Sequence, residues 1–132
     1  MTGDDPRYGT EVRRRMASLA GAGSFAPAPD IATGLAGNRE QGAEIELFCR
    51  IGDDQVTEAR FRAFGCPHLL AAASWLTDRL RGARREDIEH WDWREAADAL
   101  EVPAAKFGRL LTLQDAVRGV ARNWPGTPGS TV

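Results

Sequence analysis

Cysteine is scarce in this chain, with two in 132 residues. That is too few for a disulfide framework, and nothing suggests export, so both thiols are expected in the reduced form. Lysine is scarcer still: Lys106 is the only one of the 17 basic residues that is not arginine. That bias reflects composition and carries no chemical weight. No apolar run approaches the roughly 18 residues that a membrane span needs. The opening MTGDDPRYG is polar and acidic, without the apolar segment of a secretory signal. The cytoplasm is therefore the expected compartment, with no membrane partner. A formal net charge of −2 and a pI of about 5.7 give no basic field, so nucleic acid is not an expected partner. No Ser/His/Asp set, phosphate loop or paired carboxylate motif stands out, which argues against an enzyme of those classes.

What is present fits one soluble domain, expected over residues 1–125, with 126–132 (GTPGSTV) as a disordered tail. Asp5-Pro6 reads as a helix start, and Tyr8, Val12, Met16 and Leu19 follow at helical spacing until Gly21 and Gly23. Arg13, Arg14 and Arg15 fall mostly on the other, solvated side. Residues 24–43 are rich in small residues and read as loop, with one short strand near Thr33–Ala36. Residues 44–51 alternate, placing Ile45, Leu47, Cys49 and Ile51 on one face of a strand. Gly52-Asp53-Asp54-Gln55 is turn chemistry, and Val56–Phe64 reads as the returning strand of a hairpin. From Pro67 to about Leu80 the pattern is helical, with Leu69, Leu70, Ala73 and Leu76 on the buried face. Asp92-Trp93-Arg94-Glu95 fits a capping box for a short helix through Leu100. After the Val102-Pro103 break, Phe107, Leu110, Leu111, Val117, Val120, Ala121 and Trp124 form an amphipathic stripe. The order predicts an α+β domain with helices on one face of a small antiparallel sheet.

The two cysteines differ in setting. Cys49 shares a strand face with isoleucines and leucine and reads as a buried, inert thiol. Cys66 follows a glycine at a strand-to-helix turn, where helix-start amides and the helix dipole favour a thiolate. It is a candidate nucleophile or ligand, and equally a structural residue by spacing alone. His68 lies two residues on, but Cys-x-His is short of the three or four ligands of a zinc site. His90 sits in another segment and Glu40 is the only other ligand near the loop. A solvent-exposed or helix-capping His68 is the expected reading.

Several segments together resemble a known family, the U-type iron–sulfur cluster scaffolds (IscU and the N-terminal domain of NifU). They are Tyr8, Gly23-Ser24-Phe25, Thr33-Gly34-Leu35-Ala36-Gly37, the Ala59–Cys66 run ARFRAFGC, and a following helix with Ala72-Ala73-Ser74 and Thr77-Asp78. The resemblance covers roughly Tyr8 to Ala121. It implies a three-stranded antiparallel sheet with helices packed on one face, a fold shared with the SufE-type sulfur acceptors.

By the same resemblance, cluster chemistry rests on three cysteines, a histidine before the third, and an aspartate two residues after the first. Only the second cysteine survives, as Cys66. Gln41 and Ala43 occupy the places of the first cysteine and the aspartate, with Gly108 and Arg109 at those of the histidine and third cysteine. Clusters are typically held by four ligands, chiefly thiolates, and a guanidinium cannot ligate a metal. The expected role is therefore in iron–sulfur assembly or sulfur trafficking, without turnover of its own. In the first reading Cys66 accepts persulfide sulfur and Arg109 stabilises the thiolate. In the second the chain is a non-catalytic pseudo-scaffold that binds a desulfurase or another assembly factor. In the third it holds iron or a [2Fe–2S] cluster through Cys66. The implied partner is a cysteine desulfurase or another assembly protein. Chaperone docking at Val102–Lys106 is weakened, because the family's Pro-Pro is here Pro103-Ala104.

Overall fold

The computed structural model describes residues 8–126, so the Asp5-Pro6 helix start and nearly all of the expected tail lie outside the described residues. Helix α1 (Thr10–Ser18) begins after Gly9, leaving Tyr8 just before it rather than in its first turn, and Leu19 ends it in the left-handed conformation. Three strands follow, β1 (Ile31–Asn38), β2 (Ala43–Gly52) and β3 (Gln55–Phe64), in the antiparallel order β1-β2-β3. Helices α2 (Pro67–Arg79), α3 (Arg85–His90), α4 (Arg94–Leu100) and α5 (Phe107–Arg122) complete the domain. This is the expected α+β architecture.

The sheet sorts its side chains by alternation. Ala43, Ile45, Leu47 and Cys49 of β2 are buried under the helices together with Ala59 and Phe61 of β3. The hairpin turn takes positive φ at both Asp53 and Asp54, the geometry that matches strand twist, and Asp tolerates it better than most residues. The carboxylate of Asp54 then accepts the Trp124 indole N–H at 2.9 Å, tying the chain after α5 to the hairpin.

Strand β1 is eight residues long, twice the stretch expected. Its glycine explains both its place and its concealment. A β-carbon on Gly34 would lie 1.9 Å from the Ala116 carbonyl oxygen, and one on Gly119 would lie 2.9 Å from the Gly34 Cα. Helix α5 thus packs backbone to backbone on β1, and Asn123 donates to the Thr33 carbonyl at 2.8 Å along that strand.

Four other expectations are corrected. The arginine triplet is not uniformly solvated: Arg15 reaches across to α2, donating to Asp78 at 2.7 Å and to the Ser74 carbonyl at 3.4 Å. Helix α3 forms where no element was expected, started by a 2.9 Å hydrogen bond from the Arg84 N–H to the Asp87 carboxylate. Only half of the capping box at α4 exists, because Asp92 accepts from the Arg94 N–H while Glu95 pairs with Arg79 instead of turning back. On α5, Leu111 is exposed and Leu113 takes the buried place, since the stripe facing the sheet runs through 110, 113, 117 and 120.

Candidate functional site

The junction that holds Cys66 is built by its neighbours. Strand β3 ends at Phe64, Gly65 makes the corner, and Cys66 is the residue that opens α2. Pro67 at the first helical position has a fixed φ and no N–H to satisfy, so the helix can begin at once. Cys66 keeps an extended backbone, its sulfur makes no capping hydrogen bond, and its side chain is half-buried. Gly65 has little room: a β-carbon there would lie 2.7 Å from Leu69 Cδ2 and 3.4 Å from the Gly42 carbonyl oxygen.

Gly42 is the hub of this corner. It ends the single turn Arg39–Gln41 in a left-handed conformation, φ 84°, which glycine adopts without strain. A β-carbon on it would lie 3.7 Å from Arg109 Nη2. Residues 41–43, 65–66 and 108–109 therefore converge, as the sequence resemblance requires. Arg109 packs on Gly42, and Gly42 abuts Gly65 beside Cys66. Among the described residues Arg109 makes no ion pair and no side-chain hydrogen bond. Gln41 is exposed, Gly108 faces open space, and Ala43 is buried on the inner face of β2.

His68 is neither exposed nor a cap. It is 3% exposed in the first turn of α2, because its ring packs at 5.0 Å on the ring of Tyr8. Its Nδ1 is buried without a hydrogen-bond partner. Burial, and secondarily the charge of nearby Lys106, hold its pKa below the ordinary imidazole value. Lys106, in the turn Ala104–Lys106 before α5, makes no ion pair among the described residues. Sequence reasoning missed this group. The available signal was Tyr8, an isolated aromatic ahead of α1 that needed something to pack on.

Cys49 is fully buried, and desolvation pushes its thiol up to about 12, as its strand register implies. His90 ends α3 and lines a surface cavity of about 650 Å³ with Arg79, Arg81, Trp91, Asp92 and Glu95, away from Cys66. Among the described residues no group of three or more His, Cys, Asp or Glu side chains is placed to hold a metal ion. No described helix is long and apolar enough to cross a membrane.

Comparison with known proteins gives three results. The family model for the NifU-like N-terminal domain matches residues 7–129. An iron–sulfur cluster assembly scaffold protein IscU from Rickettsia prowazekii is 30% identical over 96 residues, covering 72% of this chain and 73% of that protein. The IscU of Azotobacter vinelandii is 26% identical, over 76% of this chain and 80% of its own. Among solved structures, a putative iron–sulfur cluster assembly scaffold protein for the SUF system from Fervidobacterium islandicum superimposes with a TM-score of 0.62 at 15% identity, covering 87% of this chain and 99% of that one. A likeness of that kind carries the fold alone.

Proposed function

The chain belongs to the NifU-like N-terminal domain family, and from that membership we propose that it serves iron–sulfur cluster assembly as a sulfur acceptor acting through Cys66. The observation that carries this reading is the pairing of one half-buried cysteine at a helix start with Arg109 on the adjoining loop, where the family has its third cysteine. The donor set does not fit a cluster: Cys66 has neither Gln41 nor Ala43 nor Gly108 nor Arg109 to help it hold iron, and thiolates are what such clusters need. Cluster and iron are accordingly treated as cargo of the pathway rather than as residents of this site.

In the proposed step the Cys66 thiolate attacks the outer sulfur of a persulfide on a cysteine desulfurase. A new S–S bond forms at Cys66, the donor's S–S bond breaks, and the donor cysteine leaves as thiolate. No oxidant is consumed. Arg109 contributes positive charge near the sulfur, and the helix start contributes its dipole. The protein turns over nothing by itself and works in the cytoplasm with its donor. The Pro103–Ala105 corner is exposed while Val102 is buried, so a chaperone would meet a shorter apolar surface than Val102–Lys106 suggests.

The test is sulfur loading. With a cysteine desulfurase and cysteine, wild-type protein should gain one sulfur atom by mass spectrometry and Cys66→Ser none. If the protein binds the desulfurase but takes no sulfur, the non-catalytic pseudo-scaffold is the right reading.

A further inference from the structure

The corner around Cys66 carries positive charge that the chain does not neutralise. Lys106 lies on one side of the start of α2, close enough to His68 for its charge to act on the imidazole. Arg109 lies on the other, against Gly42 and so beside Gly65. Neither cation has an ion pair among the described residues, although the chain is net acidic and most of its arginines are paired. The acids of the neighbouring segments are engaged or apart: Glu44 pairs with Arg39 at 3.7 Å, Glu101 lies against Gly9, and Glu40 is exposed on its turn. The start of α2 adds the free N–H groups and positive dipole end of a 13-residue helix. A second observation makes this more than a helix terminus. His68, in that first turn and 97% buried by the 3% figure above, presents a ring nitrogen that nothing in the chain satisfies, on the side of Lys106.

We propose that the Cys66 corner accepts sulfur directly from a small dianionic sulfane compound of the thiosulfate class, held by Lys106 and Arg109. This rests on the reading of Cys66 as a sulfur acceptor and adds a substrate class to it. The Cys66 thiolate attacks the outer, sulfane sulfur of thiosulfate. A Cys66 S–S bond forms, the S–S bond of thiosulfate breaks, and its electron pair leaves with sulfite. One monoanion and one dianion give one persulfide anion and one sulfite dianion, so charge and electrons balance without an oxidant. The two cations act on the sulfonate end, where charge stays through the reaction, and offset the repulsion between a thiolate and a dianion.

The experiment incubates the full chain with thiosulfate and follows the added sulfur on Cys66 and the sulfite released. Wild type should load, with one sulfite per sulfur gained, and Cys66→Ser should do neither. Lys106→Gln and Arg109→Gln should each slow loading about tenfold, and added salt should slow the wild type but hardly the double variant. A second measurement separates charge recognition from thiol reactivity. Anionic iodoacetate and neutral iodoacetamide meet the same thiolate, so the ratio of their rates at Cys66 reports the local field alone. That ratio should fall severalfold in the double variant. If desulfurase loads Cys66 but thiosulfate does not, or loads it equally in the double variant, this inference is overturned and the acceptor reading stands. If neither donor loads Cys66, the acceptor reading itself fails.

Discussion

The ring of Tyr8 leans on that of His68 at 5.0 Å and 53°, and between them they seal the first turn of α2. Burial makes the imidazole resist protonation, with Lys106 adding to the effect. The sign follows from linkage. Below the ordinary value of 6.5 the unfolded chain takes up a proton that the folded chain refuses, so stability falls as pH drops from there toward the lower folded value.

Urea unfolding above and below pH 6.5 should therefore show a loss in the wild type that is largely absent in His68→Phe. The phenylalanine also removes the unpartnered Nδ1 and should leave stability at neutral pH equal or about 1 kcal/mol higher. An unchanged pH slope in His68→Phe would place the proton uptake elsewhere.

Cys49 should be chemically silent in the folded protein. Its thiol, raised to about 12, should alkylate only as fast as the domain opens, while Cys66 labels at once. Because the folded value lies above the unfolded one, the associated stability is complete below about pH 9 and is lost as pH rises toward 12. Cys49→Ala should cost about 1 kcal/mol or somewhat more and leave sulfur loading at Cys66 intact. Equal native labelling of the two cysteines would contradict the strand register.

Two glycines in neighbouring elements should respond oppositely to a methyl group. Gly34→Ala drives a β-carbon into the Ala116 backbone, which cannot move without separating α5 from β1, and should cost about 3 kcal/mol or more. Gly108→Ala meets nothing within 4 Å and stands in the first turn of α5, so it should be neutral or stabilise by up to about 1 kcal/mol. Thermal melts of the two variants check the contrast.

The same glycines explain what the sequence could and could not reveal. Strands β2 and β3 and helix α2 were legible because their apolar positions keep strict periods and Pro67 marks the helix start. Strand β1 was mostly hidden, since Gly34 and Gly37 carry turn composition while serving close packing, which only the tertiary partner reveals. Helix α3 is six residues held by one carboxylate, with a single buried residue, Ile88, and so no periodicity to read. Convergence at Gly42 was anticipated only through the family resemblance. His68 was misread because burial by Tyr8 is a long-range event that no local pattern announces.

Anaerobic reconstitution with iron and sulfide should leave the wild type without a stoichiometric cluster, for want of ligands rather than of fold. That claim has a constructive counterpart. Position 41 is exposed, position 108 opens onto free space and position 109 already touches Gly42, so Gln41→Cys, Gly108→His and Arg109→Cys can be combined without disturbing the core. Ala43→Asp is left out, because position 43 is 3% exposed on the inner sheet face and would bury an unpaired carboxylate. With Cys66 the triple variant offers three thiolates and an imidazole, a four-ligand set of the kind clusters require. It should gain visible charge-transfer absorption that survives desalting and disappears when Cys66→Ser is added. It should also lose the charge dependence of thiosulfate loading, having lost Arg109. If instead the wild type holds about one cluster per chain through Cys66, the chain is a scaffold after all and the acceptor reading falls. If the folded triple variant binds no iron, the three segments stand too far apart to share a metal.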